Sequence, residues 1–115
     1  MKANDLRIGN WVMDKEDNIY GKIDSFYGRE IFIDDWHNGT TLLNECDPIP
    51  LTEEWLLKFG FKKHKTDDRY ITFAKANINI NDGIVNLVGY PNFLNHIKHV
   101  HQLQNLYHSL TQKEL

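Results

Sequence analysis

The stretch HIKHVHQLQNLYHSLT, residues 96–111, holds four of the chain's six histidines: His96, His99, His101 and His108. Imidazoles at that density suggest a metal site or a proton shuttle, and spacing decides whether either is within reach. Wound as a helix at about 100° per residue, Val100, Leu103, Leu106, Tyr107 and Leu110 share an arc of about 120°, the width of a core-facing stripe. His101 and His108 then fall with Gln104, Asn105 and Gln112 on the solvent side. They point the same way but stand about 10.5 Å apart along the axis. Two imidazoles on one zinc must bring their nitrogens within about 4 Å, so this spacing does not make a pair. His96 and His99 would land inside the apolar arc if the helix ran back through them, which places its start near His99. In an extended segment they face opposite sides. No single backbone geometry unites them, and a metal would need His37, His64 or the Asp34-Asp35 pair from elsewhere. The sequence therefore assigns no catalytic residue, no metal ligand and no cofactor.

Other reactive groups read in the same sober way. Cys46, the only cysteine, lies between Glu45 and Asp47, where two carboxylates raise a thiol pKa that activation would need lowered. It reads as a buried or edge-strand residue. Asp14, Glu16 and Asn18 alternate like calcium ligands, but Ile19 stands where the loop needs glycine and Ser25 where it needs glutamate. Asp34-Asp35-Trp36-His37 gathers polar groups and an indole at a hairpin tip, a place that suits partner contact. Lys58, Lys62, Lys63 and Lys65, interleaved with Phe59 and Phe61, form the one basic run; its aromatics and cations are the ingredients of a small nucleic-acid contact. No glycine-rich phosphate loop accompanies it.

These groups need elements to position them. Residues 10–13, 19–26, 30–34 and 40–43 read as short strands separated by turn signals, among them Asn38-Gly39. In residues 19–26, strict alternation puts Ile19, Gly21, Ile23 and Ser25 on one face and Tyr20, Lys22, Asp24 and Phe26 on the other. Pro48 and Pro50 favour an extended crossing. A helix follows over 52–59, with Thr52 as N-cap, Glu53 and Glu54 in the first turn, and Gly60 beyond its end. Residues 69–74, 78–80 and 84–88 read as strands, the last two joined by Asn81-Asp82-Gly83. A helix over 99–111 ends the pattern. Strands, helix, strands, helix is an α+β order: a small N-terminal antiparallel sheet or SH3-like barrel, a helix, an antiparallel hairpin sheet of three or four strands, and a C-terminal amphipathic helix. The segment from Val12 through Gly21 and Ile23 is similar to the start of SH3-like barrels.

At 115 residues the chain is expected to form a single domain, 1–115, and its 41% hydrophobic and 12% aromatic content is that of a globule. Apolar runs are too short to span a membrane, the first residues lack the apolar core of a secretory signal, and one cysteine suits a reducing cytoplasm. The net charge of −3 is unevenly spread: residues 1–50 carry 5 Lys/Arg against 10 Asp/Glu, and residues 51–115 carry 8 against 6. That balance argues against a general nucleic-acid coat.

Three stretches, LRIGNWV at 6–12, DPIPLTEEWLLKFGFKK at 47–63 and VHQLQNLYHSLTQKEL at 100–115, resemble a family of small proteins encoded by Bacteroides-type bacteria and by their phages and mobile elements. The resemblance implies a cytoplasmic protein of phage or mobile-element background and carries over no chemistry. The leading functional expectation is a non-enzymatic protein-binding or adaptor protein, with Trp11, Trp36, His37 and Tyr90 as contact residues. The alternative is a nucleic-acid accessory protein using Lys58, Lys62, Lys63 and Lys65. A histidine- or metal-dependent enzyme built on His96 and His99 ranks third. Self-association is left open.

Overall fold

The computed structural model describes residues 5–15, 19–28, 30–33, 40–42, 45–67, 70–89 and 93–115. Residues 16–18 of the polar stretch 14–18, the Asn38-Gly39 turn and the loop around Pro91 lie outside these residues, as do Trp36, His37 and Tyr90. The α+β class holds, and the chain divides into two compact units. One combines residues 1–50 with 99–114; the other is built from 51–98.

The first unit carries strands β1 (Trp11–Asp14), β2 (Tyr20–Tyr27), β3 (Glu30–Ile33), β4 (Thr40–Leu42) and β5 (Cys46–Asp47), with helix α2 (Val100–Thr111). They form an antiparallel sheet in the order β4-β3-β2-β1-β5. Val12, Ile23, Ile31, Ile33, Leu6 and Cys46 make its core. One register detail departs from strict alternation. A bulge between Ile23 and Ser25 inserts an extra residue, so Phe26 pairs with Ile31 and packs against the core. Alternation had placed Phe26 on the face opposite Ile23, and the bulge reverses that parity.

Helix α2 shows the larger correction. Val100, Leu103 and Tyr107 are buried as the pattern predicts, but so are His101 and Gln104, while Leu110 is exposed. The buried arc is turned by about 80° from the apolar stripe. Its centre is Gln104, whose side-chain amide donates to Gly9 O (3.0 Å) and accepts from Trp11 N–H (2.8 Å). A glutamine with both amide ends satisfied is a good core residue, and hydrophobic periodicity has no means of seeing its partners. Next to it, Asn105 Oδ1 accepts from Asn10 Nδ2 (2.9 Å) and Arg7 Nε (3.0 Å), and Asn105 Nδ2 donates to Asp5 O (2.9 Å). Asn10, fully buried, also accepts from Arg7 N–H through Oδ1 (2.6 Å). Gly9 reaches this turn at φ 95°, a conformation that favours glycine, and its N–H donates to Ile23 O. At the helix start, His99 is the N-cap, and Gln102 Oε1 accepts its N–H (3.0 Å). Val100 N–H donates to Ile49 O (2.8 Å), so the Pro48–Pro50 crossing is held by α2.

The second unit carries α1 (Glu53–Lys58) and strands β6 (Lys62–Asp67), β7 (Tyr70–Lys75), β8 (Ile78–Asn81), β9 (Ile84–Leu87) and β10 (Phe93–Leu94), in a meander ordered β10-β9-β8-β7-β6. Asp82 and Gly83 both take positive φ (52° and 78°), the two-residue turn that matches strand twist. Thr52 holds the N-cap position, but its hydroxyl makes no capping bond. The far end of α1 is fully built: Gly60 at φ 86°, Gly60 N–H to Leu57 O, Phe61 N–H to Leu56 O, and Lys75 Nζ on Phe59 O (2.6 Å). Trp55, Leu56, Phe59 and Phe61 are buried together with Phe73, Ile78, Ile80, Val85 and Ile97. The sheet exceeds the expected three or four strands because β6, made of KKHKTD, carries no apolar signal of its own; pairing with β7 supplies its structure.

Gln104 carries a measurable share of this stability. Gln104→Ala strands two backbone partners and opens a cavity, and is expected to cost about 3 kcal/mol in urea unfolding. Ser109→Ala, on the exposed side of the same helix, is expected to cost less than about 0.5 kcal/mol.

Candidate functional site

The histidines resolve into separate environments. His96 is exposed, His99 caps α2, and His108 is half-buried with Nε2 4.0 Å from Glu114 Oε1. His101, expected on the solvent side, is 5% exposed, and its Nδ1 is buried with no hydrogen-bond partner. Its ring stacks on His99 with centroids 6.0 Å apart. Burial pushes the His101 pKa below the ordinary 6.5; the neighbouring His99 adds to the shift and Asp5 opposes it. Parallel rings at that separation do not converge on a common point. Among the described residues no group of three or more His, Cys, Asp or Glu side chains could hold a metal ion. Cys46 is buried in β5, the edge strand of the first sheet.

Trp11 is half-buried, with Lys22 Nζ 5.5 Å from its ring centre across the β1–β2 pair. The more exposed aromatics of this sheet are Tyr27 (75%) and Tyr20 (49%). Sequence reasoning placed Tyr20 on the face opposite Ile23 yet did not single it out. The usable signal was that alternation itself, since an outward tyrosine on a half-buried strand is solvated unless something covers it.

The basic run is divided by the strand that carries it. Cross-strand pairs share a face, so Lys62, opposite Ala74, and His64, opposite Thr72, lie on one side of the second sheet. Lys63, opposite Phe73, and Lys65, opposite Ile71, lie on the other. Lys63 Nζ is 2.7 Å from Glu53 Oε1, and Lys58 Nζ sits 4.6 Å from the Trp55 ring centre. The four lysines therefore give no single cationic face. Charges along an edge strand also have a structural use, because they discourage pairing with another chain.

The second unit holds a cleft of about 640 Å³ that no sequence pattern announces. Its walls are Leu56 on α1, Ile71 and Phe73 on β7, Ile80 on β8, and Ile97. Leu51, Thr52, Glu53, Asp82, Gly83 and Lys98 complete its lining. Leu51 N–H donates to Lys98 O (3.1 Å), so the two ends of this stretch of chain meet at the cleft. Elements far apart in sequence meet here, so no local pattern reports it. Its size falls within the range of small-ligand and side-chain pockets, roughly 300–1,000 Å³. Among its described lining residues there is no histidine, cysteine or serine, so what the walls offer is burial of an apolar group beneath a mixed polar rim.

No protein-family model, curated protein or solved structure matches the chain. Among the described residues no helix is long and apolar enough to cross a membrane.

His101 gives the fold a pH dependence with a defined sign. Its folded pKa lies below the unfolded value, so the unfolded chain takes up the proton first; stability is complete above about pH 6.5 and falls as pH drops below it. The melting temperature is expected to fall between pH 7.5 and 5.0 more steeply for the native chain than for His101→Leu. Parallel profiles for the two would show that His101 contributes nothing to that fall.

Proposed function

We propose that the protein is a small non-enzymatic binding protein whose second unit takes an apolar side chain of a protein partner into the cleft beside α1. The observation that supports this reading is the cleft itself: about 640 Å³ walled by Leu56, Ile71, Phe73, Ile80 and Ile97. Ile71 is only half-buried, so part of this apolar wall is open to a ligand. A large side chain buried there gains roughly 1.5–3 kcal/mol from removal from water, the scale of an interface anchor. Glu53, Asp82 and Lys98 at the rim would set orientation. A cytoplasmic setting and a phage or mobile-element background rest on the single cysteine and on the resemblance of the three motifs.

Selection of random twelve-residue peptides on the immobilised protein tests the reading. Enriched peptides are expected to share one large apolar anchor and to lose at least tenfold in affinity on Ile71→Arg, with circular dichroism unchanged. Absence of enrichment, or peptides indifferent to Ile71→Arg, would contradict the proposal. The nucleic-acid alternative is read in the same preparation, by fluorescence anisotropy with single-stranded DNA and RNA at 50 mM salt. No binding is expected; binding lost on joint substitution of Lys62, Lys63 and Lys65 by glutamine would favour that alternative.

A further inference from the structure

The first unit contains a second feature, independent of the cleft, in which an arginine is held ready for an anion and a carboxylate of the chain occupies it. Arg7 Nε donates to Asn105 Oδ1 (3.0 Å) and Nη2 reaches Gln104 O (3.4 Å). Asn105 is itself fixed by Asn10 and by Asp5 O. These bonds orient the guanidinium plane and leave one edge, where Nη1 donates to Glu114 Oε1 and Nη2 to Oε2 (3.3 Å). Such a fork matches the geometry of a carboxylate or a phosphate.

That edge is open to solvent and has a histidine beside it. His108 Nε2 stands 4.0 Å from Glu114 Oε1. The Arg7 hydrogen bond, with the charges of Arg7, His108 and Lys22, holds the Glu114 carboxyl below the usual carboxylate range although burial works against them. Beneath it lies Gly9, where an added Cβ would stand 3.5 Å from Glu114 Oε2 and meet nothing closer. The occupant arrives on a short return segment. Gln112 turns at φ 61°, its N–H still bound to His108 O, and Lys113 N–H donates to Thr111 Oγ1. The Glu114 side chain remains 48% exposed, against 29% for Arg7. An ion pair that open contributes little to folding, so the carboxylate can leave without disturbing the core. The guanidinium, by contrast, is held by Asn105 Oδ1 and Gln104 O.

We infer that Arg7, with His108 and the bare backbone of Gly9, forms a binding site for an oxyanion-bearing ligand, phosphate or carboxylate, which Glu114 occupies as a displaceable internal stand-in. The site is then self-inhibited in the free protein, and a ligand must compete with a tethered carboxylate at high local concentration.

Titrations with inorganic phosphate and, separately, with acetate at constant ionic strength test this, read by amide NMR shifts at Gly9 and by the Arg7 Nε–H resonance. Glu114→Gln is expected to bind phosphate or acetate at least tenfold more tightly than the native chain, and the stronger of the two identifies the ligand chemistry. That gain is expected to vanish when Arg7→Gln is added. Equal affinities in the native chain and Glu114→Gln, or a gain that survives Arg7→Gln, would overturn the proposal. Should Arg7→Gln fail to fold, His108→Gln on the Glu114→Gln background decides: an affinity loss of at least threefold supports the site, and an unchanged affinity refutes it.

Discussion

The side-chain amide of Gln104 is the constraint on which the first unit depends. It bridges Gly9 O and Trp11 N–H, two backbone groups at the point where the chain turns into β1, and it does so from the centre of the buried face of α2. Buried peptide groups without partners are costly, so this turn and this helix position specify each other. Asn105 repeats the device one residue on, tying Asn10, Arg7 and Asp5 O. Two stretches separated by more than ninety residues are thereby fixed in register by hydrogen bonds, which are directional, where apolar packing alone would allow sliding. The motifs LRIGNWV and VHQLQNLYHSLTQKEL are thus, to a large extent, the two halves of one junction.

The second unit is organised by packing. Its short helix is stopped by Gly60 and by the Lys75 ammonium on Phe59 O, and its aromatic face is buried with one face of a meander sheet. The basic run that attracted notice in the sequence becomes an edge strand, and strand alternation distributes its cations to both faces. Linear clustering of charge translates into a patch on a loop or along one helix stripe; on a strand it is halved. The same geometry leaves a partly open apolar wall between α1 and β7, whose most exposed member is Ile71.

Much of the fold was legible. A short helix over 52–59, Asp82-Gly83 in a hairpin turn, and a final helix starting near His99 all follow from local chemistry, and local chemistry is what placed them. The failures share one cause. Phe26 needed knowledge of a bulge, β6 needed its partner strand, and His101 and Gln104 needed the bonds and neighbours that make a polar residue welcome inside. The candidate sites were less legible still. The cleft draws walls from α1, β7, β8 and Ile97, and the Arg7 site draws on residues 7, 9, 108 and 114.

The sequence by itself determined the α+β class and the positions of both helices and most strands, because each rests on interactions within a few residues. Only the tertiary structure decided which face of α2 is buried, where the lysines point, and which groups share a cavity. Those are properties of pairs distant along the chain. For Gln104 and Arg7, the partner and not the residue type is what distinguishes a solvated polar side chain from one that organises a fold.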